Sequence, residues 1–223
     1  ALPLGSLARF RSGATHGKRA GLSPSAVSIV LVVHNTAPWL KPCFDAIASQ
    51  TFRDYELVVV DVASGQRTKL ALKRHLRRFA RVTKIVKAEN VGGAAAANAG
   101  IVASEGEYVF IMDSDDVLPH RALEALHSAA IRNSLDVTIG RGLSIVGRKV
   151  TPLRYRADMI TWAKALTVTD LRDRPELTMA PYYWGRLYRR QMLLEQDVFM
   201  RPGRLYADRY FTCKALKASE RTG

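Results

Sequence analysis

Four short apolar runs mark the first half of the chain, and each gives way to polar residues. They are residues 27–33 (VSIVLVV), 55–60 (YELVVV), 82–86 (VTKIV) and 108–112 (YVFIM). The runs are rich in β-branched residues and most lack a polar alternation. This is the pattern of strands covered on both faces. Helical spacing fills the gaps. Pro42 fits the first position of a helix reaching residue 49, with Phe44, Ile47 and Ala48 turned inward. Residues 68–79 place Leu72, Leu76 and Phe79 on one side, and Lys69, Lys73, Arg74, Arg77 and Arg78 on most of the rest. Residues 94–103 form an alanine-rich helix after Gly92-Gly93. Strand and helix thus alternate, which predicts an α/β fold: a mostly parallel central sheet with helices on both faces.

The second half is less regular. Pro119 starts a helix to about residue 130, and residues 137–140 and 143–146 read as strands. Residues 151–178 are polar and arginine-rich, and predict a loop over the site with a helix near 159–166. Residues 180–190 (APYYWGRLYRR) are aromatic and basic, with Trp184 expected as a core anchor. A helix is expected over 209–217, directly after Asp208, which fits its N-cap.

Composition narrows the picture. A chain of 223 residues, 48% hydrophobic, has material for one globular domain, expected over residues 27–223. Residues 1–26 are rich in Gly, Ser, Arg and Lys and read as a basic flexible arm without a signal peptide's apolar core. No apolar stretch approaches a membrane span. Cys43 and Cys213 are far apart, with no metal-ligand spacing, which suggests structural thiols in a reducing, cytoplasmic setting. The net charge of +14 favours an acidic partner such as a nucleotide, an anionic polymer or an anionic membrane surface. The cationic face of residues 68–79 also reads simply as a solvated helix face. No zinc-finger spacing or RNA-binding aromatic motif occurs, so nucleic acid is not the expected partner.

The candidate chemistry gathers where the apolar runs stop. The fourth run ends in Asp113, Ser114, Asp115 and Asp116. Open parallel sheets bind ligands at the carboxyl ends of their strands. Carboxylates this close repel one another unless a cation or donor groups offset the charge, and hard divalent cations prefer oxygen ligands. The cluster therefore reads either as a Mg2+ or Mn2+ site or as a polar turn capping the next helix. The first run ends in His34-Asn35-Thr36 and the second at Asp61. His34 suits stacking on a base, or is a loop histidine without a task. Gly92-Gly93 after Asn90 permits phosphate to approach a helix N-terminus, or only makes a turn. Asn98, polar in the middle of its helix, bonds a loop or a ligand.

The stretch NVGGAAAANAGIVASEGEYVFIMDSDD, together with VSIVLVVHN, SQTF before YELVVVD, and the late WGRLYRR and LYADRYF, resembles the family 2 glycosyltransferases of the GT-A (Rossmann-like) fold. The resemblance covers about residues 27–218. It implies an inverting, metal-dependent transfer of a sugar from a nucleoside-diphosphate sugar to a glycan, a cell-surface polymer or a lipid-linked acceptor. The enzyme would work in the cytoplasm or on the inner face of the membrane. It implies Asp113 toward the ribose, Asp115 with Asp113 toward Mn2+ or Mg2+, and Asp208 as catalytic base. His34, Asn35, Asp61, Asn90, Gly92, Asn98, Asp113 and Ser114 form the expected donor-binding set. The chain departs from the family pattern at Val62, Ala97 and Ala207, where family members often carry an acid, an arginine and a glutamate. A binding module of the same fold, weakened in catalysis, is the alternative. A nucleotidyltransferase would open with a glycine- and arginine-rich loop after the first strand, unlike HNTAPW.

Overall fold

All seven residues of the first apolar run are buried, so its two faces must each meet a layer of helices. The computed structural model describes residues 14–16, 24–87, 89–147, 149–152, 168–180 and 182–223. Four parallel strands form the centre: β2 (Val27–Val33), β3 (Tyr55–Val62), β4 (Val82–Lys87) and β5 (Tyr108–Asp113). Three antiparallel strands extend them: β1 (Ala14–His16) beside β4, and β9 (Arg186–Arg189) beside β5, followed by β6 (Val137–Ile139). The spatial order is β1-β4-β3-β2-β5-β9-β6. The predicted mostly parallel sheet is therefore present, with antiparallel margins.

Period-2 geometry divides the core in two. Val27, Ile29, Leu31 and Val33 of β2 meet Phe44 and Ile47 of α1 (Leu40–Ala48), Leu72 of α2 (Gln66–Leu76) and Leu123 and Leu126 of α4 (Ala122–Asn133). Val30 and Val32 belong to the opposite layer, with Ala96, Ala97 and Ala99 of α3 (Gly92–Ala103), Leu193 of α5 (Arg190–Glu195) and Phe211 of α6 (Ala207–Ala218). The alanines of α3 let its backbone lie close on the sheet.

Several expectations change in detail. Pro42 sits at the third residue of α1, not the first, and α2 ends before Phe79. Residues 143–146 do form a strand, β7 (Leu143–Val146), but it pairs with β8 (Lys149–Pro152) in a separate hairpin. Part of the expected N-terminal arm, Ala14–His16, adds a strand to the sheet edge. Trp184 is not a core anchor. It is half-buried in the turn before β9 and stacks on Tyr182 at 4.6 Å, while Tyr188, inside the strand, is buried against Phe211. The helix expected near 159–166 lies outside the described residues.

Gly100 marks the closest approach of α3 to β2. A Cβ there would lie 2.2 Å from Val30 Cγ1. Gly100→Ala should lower stability by about 1–3 kcal/mol through overpacking. Urea unfolding would show a reduced midpoint at unchanged slope.

Candidate active site

Parallel register brings the strand ends to one edge. Val33 of β2 pairs with Asp61 of β3, and Val32 pairs with Asp113 of β5. The three loops that follow are fastened together by side chains. The Val62 carbonyl can only accept, so His34 Nδ1 donates to it, at 2.6 Å. Asn35 adopts φ 55°, accepts from the Gly65 N–H at 2.8 Å, and its own N–H donates to Ser64 Oγ at 3.1 Å. Thr36 and Ser114 share a hydroxyl hydrogen bond of 2.6 Å. Asn35 and Ser114, expected to meet the donor, thus hold the rim of the site together. The His34 ring remains exposed above it.

One half-buried side chain braces Asp113. Tyr183 Oη lies 2.7 Å from both Oδ1 and Oδ2 of Asp113, to which it donates. Burial raises the Asp113 pKa, the Tyr183 bond opposes this, and the charge of Asp115 adds to the rise. Asp116 is pushed up to about 6, first by loss of hydration and then by the charges of Asp113 and Asp115. The Tyr183 hydroxyl is held strongly protonated by burial, by Asp113, and further by Asp116 and Asp208. The charge of Asp208 is thus felt at the same hydroxyl as the carboxylates at the end of β5. It sits in the first turn of α6 and is not the N-cap; Tyr206, at φ 58°, occupies that position. Tyr183 was not singled out by the sequence reading. Its only signal was its place in an aromatic run that looked like core.

The remaining candidates divide by their partners. Asp61 is fully buried; Oδ1 accepts from the Ser64 N–H at 3.2 Å, and Oδ2 has no partner among the described residues. Asn90 Oδ1 accepts from the Gly92 N–H at 3.0 Å, at the start of α3. Gly92 adopts φ +76°, and the space around Gly92 and Gly93 is open. Asn98 is committed to a loop: Nδ2 donates to the Met200 carbonyl and Oδ1 accepts from the Met200 N–H, both at 2.9 Å. Both ends of its amide are engaged there, which pins the segment before α6 onto α3.

Among the described residues no three His, Cys, Asp or Glu side chains converge as a metal cage. The donor chemistry nevertheless fits a hard divalent ion shared between protein and ligand. Mg2+ is commonly held by one or two carboxylates plus substrate phosphates and waters. Asp115 is an exposed carboxylate suited to that, with Asp116 beside it, whereas the expected metal contact of Asp113 competes with Tyr183.

A mostly parallel central sheet with flanking helices and carboxylates at its strand ends is the GT-A architecture, and sequence comparison agrees. The chain matches the glycosyl transferase family 2 profile over residues 28–195 and belongs to that family. It is 28% identical over 204 residues to the uncharacterized glycosyltransferase EpsJ of Bacillus subtilis, covering 87% of this chain and 57% of that protein. It is 35% identical over 132 residues to the poly(ribitol-phosphate) beta-N-acetylglucosaminyltransferase TarP of Staphylococcus aureus, covering 56% of this chain and 39% of TarP. The fold matches S. aureus TarS 1-349 in complex with UDP-GlcNAc at a TM-score of 0.74 and 20% identity, over 88% of this chain and 54% of that one. The chain thus spans little more than half the length of EpsJ.

The raised pKa of Asp116 has a definite sign. The folded state holds this proton more tightly than the unfolded chain does. Asp116 therefore makes stability fall as pH rises from the ordinary carboxylate range to about 6, with no further change above that. Asp116→Asn removes the effect. The stability of this variant relative to wild type should grow between pH 4 and pH 7, measured by urea unfolding without divalent ions. A difference that shrinks over that range would contradict the arrangement.

Proposed function

We propose that this chain is the catalytic domain of an inverting glycosyltransferase that uses a nucleoside-diphosphate sugar. The observation that carries this reading is the half-buried Tyr183 hydroxyl, which donates to Asp113 and feels the charge of Asp208. The expected donor carboxylate and the expected base come from strands and helices far apart in sequence.

The roles follow from what each group has free. Asp61 Oδ2, buried and unpartnered, accepts an N–H of the base. The exposed His34 ring stacks on the base. Open space over Gly92 and Gly93, at the N-terminus of α3, receives phosphate. Asp113, fixed by Tyr183, takes the ribose hydroxyls. Asp115, with Asp116 beside it, holds Mn2+ or Mg2+, which would neutralise charge on the departing diphosphate. Asp208 accepts the proton of the acceptor hydroxyl as that oxygen attacks the anomeric carbon, giving inversion.

Val62 and Ala97 bring no charge. Val62 meets the site through its backbone carbonyl, and Ala97 is buried against the sheet. Donor contact therefore rests on fewer polar groups than the family pattern implies. The acceptor is proposed as a hydroxyl-bearing anionic polymer, in keeping with the poly(ribitol-phosphate) named for TarP and with a net charge of +14. The proposed setting is the cytoplasm or the inner face of the membrane. Among the described residues no helix is long and apolar enough to cross a membrane.

Asp208→Asn should lower turnover by about 10²- to 10⁴-fold and leave donor affinity unchanged. Donor hydrolysis and transfer assays, run beside a thermal-shift titration with UDP-sugars, read the two quantities separately. Retained turnover in this variant rules out the base assignment. Asp115→Ala should lose the Mn2+-dependent part of the donor-induced thermal shift, and an unchanged Mn2+ dependence would reject its metal role.

A further inference from the structure

A groove of about 690 Å³ runs between α2 and β4, away from the carboxylates at the end of β5. Lys69, Lys73 and Arg77 line one wall, and Lys84 stands on the other. Asp61 lies at the end of the groove nearest the strand-end loops. The spacing 69, 73, 77 follows one stripe of the helix, so neighbouring cations stand about 6 Å apart along its axis. Like charges at this spacing oppose the helix. Yet Lys69, Lys73 and Arg77 have no ion pair among the described residues. Arg78, one residue further round the helix end, is paired with Asp45 at 2.5 Å. Among the described residues, the groove-lining stripe is thus left without an ion-pair partner.

We propose that this groove binds a phosphodiester-linked polyol polymer, holding the acceptor chain at a distance from its reacting hydroxyl. A row of cations at regular spacing matches a linear chain of phosphates. Three features select this partner over other polyanions. No aromatic residue lines the groove, whereas single-stranded nucleic acid is held largely on aromatic platforms. The surface is concave, and Leu70 and Val86, 58% and 44% exposed, are the well-exposed aliphatic side chains that line it, too little for insertion into a bilayer surface. Gln66, at the Asp61 end of α2, offers an amide suited to polyol hydroxyls. The groove reaches Asp61 at the strand-end edge, so a bound polymer keeps further units at high local concentration there. This inference rests on the glycosyltransferase reading only for the polymer's role as acceptor; the binding itself is independent of turnover.

The test compares two variants of equal charge. Lys69→Gln/Lys73→Gln removes two cations from the groove, and Arg67→Gln/Arg74→Gln removes two exposed cations of α2 that do not line it. Binding of a short poly(glycerol phosphate) is measured by fluorescence anisotropy at low and high salt. Donor affinity is measured on the same proteins by thermal shift with UDP-sugars. The groove variant should lose roughly tenfold in polymer affinity at low salt. The difference should fade at about 1 M salt, where charges are screened within a few ångströms. The control variant should bind nearly as well as wild type, and donor affinity should stay the same in both. Equal losses in the two variants would reduce the effect to net charge and overturn the proposal. So would a matching loss of donor affinity, which would make the groove part of the donor site. Tighter binding of a single-stranded oligonucleotide or of anionic vesicles than of the polymer, lost in the groove variant, would assign the groove to that partner instead. Absence of any donor binding in wild type, with polymer binding intact, would sink the proposed activity and leave the groove standing.

Discussion

Parallel register is the constraint on which the site depends. Once β2 lies between β3 and β5 with Val33 opposite Asp61 and Val32 opposite Asp113, three loops must leave the sheet at one edge. Their polar residues then have each other as neighbours. The bonds from His34 to Val62, from Asn35 to Ser64, from Gly65 to Asn35, and between Thr36 and Ser114 follow from that proximity. A register shift of one residue would exchange the two faces of a fully buried strand. Val30 meets Gly100 of α3 with no room to spare, so the packing itself resists such a shift.

The acidic edge is held under tension. Burial and mutual repulsion favour the neutral forms of Asp113 and Asp116, while the Tyr183 hydroxyl offsets part of this for Asp113. A site kept short of positive charge in this way is suited to a cationic ligand and to the phosphates that accompany it. Tyr183 also explains how α6 is oriented. Its backbone carbonyl accepts from Tyr188 Oη at 3.0 Å, and Tyr188 packs against Phe211 of α6. The hydroxyl that steadies Asp113 and the helix that carries Asp208 are thus anchored to one buried strand, β9. Acidic and basic regions adjoin at Asp61: carboxylates close the strand ends, while the cations of α2 lie along the flank.

What the sequence by itself determined is the layer architecture. Residues 27–33 and 108–112 are apolar at every position but Ser28, so they can only be strands covered twice, and the helical segments between them force parallel crossovers. The positions of Asp61 and Asp113 at strand ends were legible for the same reason, since a charge ends an apolar run. Tertiary structure alone decided which polar groups were left over. Asn98 and Ser114 have the same chemistry in a sequence whether they meet a ligand or a loop, and their partners Met200 and Thr36 lie 102 and 78 residues away. Tyr183 could not be told from the aromatic core beside it, because its hydroxyl acquires meaning only when β9 is laid against β5. Trp184, its neighbour, was misplaced for the converse reason: burial depends on where the strand begins, and it begins two residues later, at Arg186.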